Sequence, residues 1–315
     1  QNIWKARCVT EWKVKALPAS CEWRSLHNDL VRSLNAVNGT AEFHTSDYNN
    51  VFAIIEVLDV YRTLAEMARA CFGRLGQLLA GDQAREATKY ADVRIMEHAL
   101  WTLKAYPEDV DMQLKIMRFL VLAGRPVGGT EGMVLPRLPA CEGALKAFGP
   151  SGDGVAAVLA CMERHQSHAG IQAMACWSMV NLALITDQKR VLVREGGISA
   201  IVRAMSRHPE DGEVHFRAMF ALINLVTPDM TTESSIPTDT MKAVVTIVVS
   251  AIQAFSNIAA IVNRGCLVLH NIALDPGHLS ALMAMGAPEE LVQAIGKHPS
   301  DRLLRQCATG TLRRL

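Results

Sequence analysis

A two-helix pattern that recurs along the chain limits what this sequence can fold into more than any other feature. Its clearest copy runs from Gly196 to Thr227: a glycine-marked start, an apolar helix ending at Arg207-His208, a Pro-Glu-Asp-Gly turn and a longer apolar helix. In the longer helix, apolar residues recur at spacings of three and four, as a helix that buries one stripe requires. Such a unit cannot bury its apolar face alone, so the pattern predicts an all-α fold of stacked copies with an extended surface.

The other copies can be located by the residue that ends the shorter helix. Alignment on His208 gives five further anchors: Tyr61, Tyr106, His165, Gln253 and His298. The intervals between successive anchors are 45, 59, 43, 45 and 45 residues. Four of the five lie in the range of about 40 to 47 residues that is typical of solenoid repeats built from two or three helices.

Two breaks interrupt the pattern. Residues 123–153 are rich in glycine and proline and coincide with the long interval, so we expect an insertion or an irregular repeat junction there, with a domain boundary as the alternative. Residues 227–240, TPDMTTESSIPTDT, stand where DQKRVLVREGG supplies a short helix one repeat earlier, and they predict a surface loop. Residues 243–252, AVVTIVVSAI, favour a strand by propensity but occupy the place of a second helix, so we expect a helix.

The first 44 residues precede the repeats and form a separate N-terminal extension. Trp4, Trp12 and Trp23 fall within this short stretch. We expect the extension to cover the open apolar face of the first repeat, because terminal repeats need a cap. Docking onto another protein is the alternative.

Local motifs over about residues 45–315 resemble the armadillo repeat family. Gly196-Gly197-Ile198 followed by Ile201-Val202 is similar to the opening of the family's second helix, and residues 187–196 match its short first helix. The run ACWSMVNLA at residues 175–183 resembles its third helix, with a Trp four residues before an Asn. The resemblance implies a right-handed superhelical solenoid of about six armadillo-like repeats.

The resemblance also implies a peptide-binding groove lined by the third helices. Asn181, Asn224 and Asn271 would hydrogen-bond the backbone of an extended peptide, and Trp177 and Phe220 would form apolar walls. The outer repeats depart from the motif, with Gly73, Arg118, Leu267 and Gly310 at the Trp position and Gln77, Leu122 and Arg314 at the Asn position. The alternative is that the asparagines cap or bridge helices within the solenoid and that the aromatic residues belong to its core.

Basic residues stand one turn before the Trp position in three repeats: Lys115, Arg217 and Arg264. Arg118 occupies the Trp position itself. Residues three apart share a helix face, so this basic column predicts an acidic partner segment. Pairing with Asp and Glu on neighbouring helices is the alternative.

Composition and motifs argue against other function classes. A formal net charge of +1 gives no electrostatic case for nucleic acid as a partner. No phosphate loop, paired-carboxylate motif or metal-ligand spacing is apparent, so we expect no catalytic residues, cofactor, metal or small-molecule substrate. His165, His208 and His298 share one repeat position, which favours a structural role at helix ends. No apolar run reaches the 20 or so residues of a membrane span.

The positions of the eight cysteines indicate buried free thiols, which are typical of proteins in a reducing compartment. We therefore expect an intracellular protein, cytoplasmic by default, with a mitochondrial location as the alternative. The predicted function is a non-catalytic scaffold or adaptor that binds an extended, acidic partner segment in the groove. The alternative is a constitutive structural subunit of a large multiprotein assembly.

Overall fold

The computed structural model describes residues 2–18, 21–38, 48–80, 93–124, 145–146, 148, 153–228 and 236–315. Throughout these ranges the regular elements are helices and no strand occurs, which confirms the predicted all-α class. The chain divides into two compact units, residues 1–157 and 158–315.

The first unit consists of helices that pack as successive pairs. They are α1 (Asn2–Trp12), α2 (Trp23–Asn38), α3 (Tyr48–Tyr61), α4 (Ala65–Ala80), α5 (Val93–Ala105) and α6 (Val110–Gly124). The first two helices, which belong to the predicted N-terminal extension, pack on each other, and α2 also packs on α3 and α4. Helix α4 packs on α6, where the ring centroids of Phe72 and Phe119 are 5.7 Å apart.

The second unit contains the best copies of the repeat. Its helices, the first of which begins before residue 158, are α7 (Asp153–Arg164), α8 (Ala169–Leu182), α9 (Thr186–Arg194), α10 (Gly197–Arg207), α11 (Gly212–Val226), α12 (Thr238–Ala254), α13 (Ala259–Ile272), α14 (Leu279–Ala284), α15 (Ala287–Lys297) and α16 (Arg302–Leu312). Helices α8, α11, α13 and α16 pack side by side in that order, and α10, α12 and α15 form a second row. The second unit is therefore a two-layered helical solenoid, with third helices in one layer and second helices in the other.

Five of the six predicted anchors end a helix or directly follow its last residue. In five repeats the anchor's carbonyl accepts a hydrogen bond from the amide three residues later; these anchors are Tyr61, Tyr106, His165, His208 and His298. In the remaining repeat the equivalent residue is Phe255, which directly follows α12 and accepts from the Ile258 amide at 2.8 Å. The carbonyl of Gln253 accepts from the Ser256 amide at 3.3 Å, but Gln253 lies inside α12, so the predicted anchor is wrong by two residues. The physical reason is the length of α12, which has 17 residues against 11 in α10 and α15 and runs past Gln253 before it turns.

Glycine marks the turn between first and second helices because the backbone there is left-handed. Gly196 precedes α10 with φ of 82°, and Gly286 precedes α15 with φ of 76°. Residues with a Cβ atom adopt this conformation at a cost, whereas glycine does not. These two glycines therefore keep the tight entry into the second helix in both repeats.

The β-branched segment is helical, as predicted. Within α12, Met241, Val244, Val245, Val248 and Ile252 are buried at spacings of three and four, so packing outweighs strand propensity. The predicted loop is corrected at its end, because α12 begins at Thr238. Residues 229–235 of that loop lie outside the described residues, as do residues 125–144, 147 and 149–152 of the predicted insertion. Among the described helices, none combines the length and the apolar character that a membrane span requires.

Candidate functional site on the third helices

Seven of the nine site residues named from the sequence lie on the third helices of the second unit, whereas Lys115 and Arg118 lie on α6 of the first unit. Trp177 lies on α8 and Phe220 at the matching position of α11, and both are half-buried. Helix α11 packs against α8 on one side and α13 on the other. The side chains of three successive repeats are thereby brought into one row.

The centre of this row is an alternation of arginines and aromatic rings. The Cζ atom of Arg217 lies 3.3 Å from the ring centroid of Trp177 and 5.1 Å from that of Phe216. The Cζ atom of Arg264 lies 3.9 Å from the centroid of Phe216 and 5.2 Å from that of Phe220. Each such cation–π contact is worth about 0.5 to 2 kcal/mol, depending on how far it is desolvated. We call these five residues the arginine–aromatic ladder.

Hydrogen bonds orient both guanidinium groups of the ladder. Arg217 Nε donates to Glu213 Oε1 at 2.7 Å, and Arg264 Nη1 donates to the carbonyl of Ala260 at 3.1 Å. The Arg217 side chain is 18% exposed, whereas its Glu213 partner is 53% exposed. Arg217 is therefore fixed between a ring and a solvated carboxylate instead of extending freely into water.

Lys115 occupies the corresponding place in the first unit. Its Cε atom is 3.3 Å from the point where a Cβ atom on Gly73 would lie, so the lysine stem packs over the Trp position of the neighbouring third helix. Its ammonium group forms an ion pair with Asp111. Arg118 is exposed on the same helix, α6. The arrangement repeats the geometry of Arg217 over Trp177, but with no aromatic ring beneath the cation.

Asn224 and Asn271 bind the solenoid itself through their amide nitrogens. Asn224 Nδ2 donates to the carbonyl of Val180 at 3.4 Å. Asn271 Nδ2 donates to the carbonyl of Ile223 at 3.0 Å and to Thr227 Oγ1 at 2.9 Å. Asn181 is only 4% exposed. Because each amide reaches a carbonyl near the end of the preceding third helix, where intrahelical partners are lacking, these bonds tie one repeat to the next.

Two of the anchor histidines make contacts of the kind that a structural role at helix ends requires. His208 Nε2 lies 2.8 Å from the carbonyl oxygen of Gln166, and His298 Nε2 lies 2.8 Å from that of Ser256. Each histidine thus meets a turn carbonyl of the preceding repeat. His165 is buried.

A second set of repeated contacts was missed in the sequence. Gln113 Nε2 donates to the carbonyls of Leu103 and Tyr106 at 3.0 and 2.8 Å. Gln172 makes the same pair of bonds to Met162 and His165, both at 2.9 Å. The signal was present, since a glutamine follows each of these two anchors at the same spacing. Phe216 was also missed, because its position holds Ala173 and Asn263 in the neighbouring repeats and carries no repeat signal.

The described cysteines and histidines offer little for nucleophilic or metal chemistry. Burial raises the pKa of the Cys161 thiol, one turn before His165, to about 12, so the thiol is protonated near neutral pH. Among the described residues, no group of three or more His, Cys, Asp or Glu side chains is placed to hold a metal ion.

Stacked second and third helices with this register define an armadillo-repeat solenoid, a class that typically serves protein interaction rather than catalysis. Residues 151–315 match the family described as LRRK2 ARM repeat. The match covers more than half of the chain, so the chain belongs to the LRRK2 ARM repeat family. A search of curated proteins finds no match.

Proposed function

We propose that the protein is a non-catalytic scaffold whose third-helix face in the second unit binds an extended, acidic segment of a partner protein. The observation that carries the proposal is the arginine–aromatic ladder, in which Arg217 and Arg264 alternate with three aromatic rings across adjacent repeats. The ladder places two positive charges in fixed positions beside apolar walls.

Stacking on the aromatic rings holds these arginines in a conformation that can bind a carboxylate. A guanidinium group has five N–H donors in a planar fork that matches a carboxylate, and the bond to Glu213 uses one donor of Arg217. Because the ring already restricts the side chain, little conformational entropy is lost when an acidic group binds. The Oδ1 atoms of Asn224 and Asn271 make no hydrogen bond among the described residues and can accept one from a partner's backbone amide.

The test is charge reversal of both ladder arginines. Peptides selected from a random library on the wild-type chain should be rich in Asp and Glu. Arg217→Glu with Arg264→Glu should weaken their binding by about tenfold or more and flatten its dependence on salt, because two attractive charges become repulsive. Fluorescence polarisation with labelled peptides measures both effects.

A matched control carries the same charge change on a first helix. Arg190 and Arg194 lie on α9 and pair with Asp187 and Glu195. Their reversal should leave the affinity within about twofold, since screening weakens distant charges. Equal affinity of the ladder variant and the wild type for the selected peptides would refute the proposed site.

A constitutive subunit of a larger assembly is the second candidate. It is favoured by the internal use of the Asn224 and Asn271 amides, which leaves fewer groups to clamp an exchangeable peptide. Size-exclusion chromatography with light scattering separates the two functions. A stable monomer supports the scaffold, and aggregation that only partner proteins prevent supports the subunit.

A further inference from the structure

A depression between α13 and α16 is lined by basic side chains that do not belong to the ladder. The residues that give it this character are His270, Arg302, Arg305, Arg313 and Arg314, and no Asp or Glu is among the residues that line it. All four arginines are exposed. We call this feature the arginine depression.

The arginine depression lies on the same third-helix layer as the ladder. Leu267 and Gly310, which also line it, stand at the Trp positions of α13 and α16, and Arg314 stands at the Asn position. Gly310 lets the His270 ring approach α16 closely, because a Cβ atom there would lie only 2.9 Å from His270 Cε1. Neither residue supplies a ring, whereas Trp177 and Phe220 do so at the same position of the better repeats.

The arginines of the arginine depression and Arg217 of the ladder differ in whether a carboxylate pairs with them. Arg217 has Glu213 beside it, whereas no described carboxylate forms an ion pair with Arg302, Arg305, Arg313 or Arg314. Arg314 Nη1 donates to the carbonyl of Gly310 at 2.7 Å, which holds its guanidinium group over the floor. Burial, followed by the charge of Arg314, lowers the pKa of His270. The recess therefore has a positive potential that the protein itself does not neutralise.

We propose that the arginine depression binds the carboxylates of an acidic polypeptide segment and is the main charged anchor of the segment held by the third-helix face. This inference rests on the proposed function and deepens it by locating the strongest recognition at α16 rather than at the ladder. Convergent like charges concentrate an oppositely charged ligand, and each guanidinium group can bind a carboxylate through two parallel bonds. A polypeptide is favoured over nucleic acid because the net charge of the chain is only +1 and the basic residues continue one groove.

The probe is a fluorescein-labelled peptide of alternating Glu and Ser. Four neighbouring helices at about 10 Å spacing span about 30 Å, which an extended peptide of about ten residues covers. We expect Arg313→Ala with Arg314→Ala to weaken binding by about tenfold and to make its salt dependence shallower. The control, Arg190→Ala with Arg194→Ala, should stay within about twofold. Thermal melts followed by circular dichroism check that each variant folds.

The outcomes separate this inference from the proposed function. If binding is unchanged in the Arg313/Arg314 variant but falls in the Arg217/Arg264 variant, the arginine depression is not the anchor, while the ladder proposal stands. Loss in the Arg313/Arg314 variant alone supports the anchor and counts against the ladder. Absence of binding to the wild-type chain at millimolar peptide overturns the inference, and the library selection then tests the proposed function independently. Tighter binding of an oligothymidine of equal length also overturns it.

Discussion

His215 stands where Gln113 and Gln172 stand in two other repeats, but it does not make their hydrogen bonds. The residue is 2% exposed, and neither ring nitrogen has a partner of normal hydrogen-bond geometry among the described residues. Burial lowers the pKa of His215, and the nearby carbonyls of His208 and Met205, together with the charge of Asp211, oppose this shift only in part. The repeat of α10 and α11 therefore buries a titratable ring at a position that an amide fills elsewhere.

The lowered pKa makes stability depend on pH in a defined direction. Unfolded histidine has a pKa of about 6.5. At that pH and somewhat below it, His215 is therefore protonated more fully in the unfolded chain than in the folded one. The free energy of unfolding should therefore be highest above about pH 6.5 and fall as the pH decreases towards the folded pKa.

His215→Gln should raise the free energy of unfolding by about 1 kcal/mol, because an amide can donate to both carbonyls as Gln172 does. It should also make the decline below about pH 6.5 shallower. Urea denaturation at several pH values measures both effects. His270, whose pKa is lowered as well, leaves some pH dependence in the variant. A pH dependence identical to that of the wild type would show that His215 does not contribute.

At the level of helices, the start of the third helix is built by the same aspartate cap in three of the six repeats. Asp109 Oδ1 accepts from the Met112 amide at 3.0 Å, and equivalent bonds of 3.0 and 2.9 Å are made by Asp211 and Asp301. Helix α13 instead follows Ile258, whose side chain is 46% exposed and cannot accept a hydrogen bond. Its φ and ψ of −102° and 89° are close to the −87° and 99° of Asp211, so the backbone already suits a cap.

Ile258→Asp should stabilise the second unit by about 1 kcal/mol, since it supplies the missing acceptor and a negative charge at the helix N-terminus. Ile258→Ala removes the same apolar side chain without adding an acceptor, and it should not stabilise. Urea denaturation of the three proteins gives the comparison. Equal stabilisation by Ala and Asp would attribute the effect to the loss of the exposed side chain rather than to capping.

Helix α12 shows how far repeat context carries a prediction. Its β-branched residues favour a strand locally, yet the repeat pattern identified a helix because one face must pack on both neighbouring second helices. The same context misplaced the anchor at Gln253, because alignment with shorter helices could not reveal how far α12 continues. Element type followed from the pattern, whereas the boundary depended on packing.

At the scale of the whole chain, the thiols report how tightly the helices pack. Burial raises the pKa values of Cys71, Cys161, Cys176 and Cys266 to about 12. Cys8 and Cys307 are also buried, and Cys21 is half-buried. None of the described cysteines is in a disulfide.

We expect only Cys21 to react rapidly with a thiol reagent such as DTNB at about pH 8 in a Cys141→Ser background, which removes the one cysteine outside the described residues. The remaining thiols should react after unfolding. Cys21→Ser should abolish the fast phase. A fast phase that persists in the double variant would reveal that a helix layer opens readily in solution.

The sequence by itself determined the class of the protein: apolar spacing is local, and its repetition along the chain requires stacked helices with third helices in a common layer. It also placed Trp177, Arg217, Phe220 and Arg264 on that layer, because residues at equivalent repeat positions share a face. The tertiary structure alone decided that Arg217 stacks on a ring of the preceding third helix and that Asn224 and Asn271 turn their amides inward. It also decided that the basic residues of α16 and of the turn after it line one depression with His270. These contacts join residues one repeat apart, and their geometry depends on side-chain packing between helices, which no local pattern specifies.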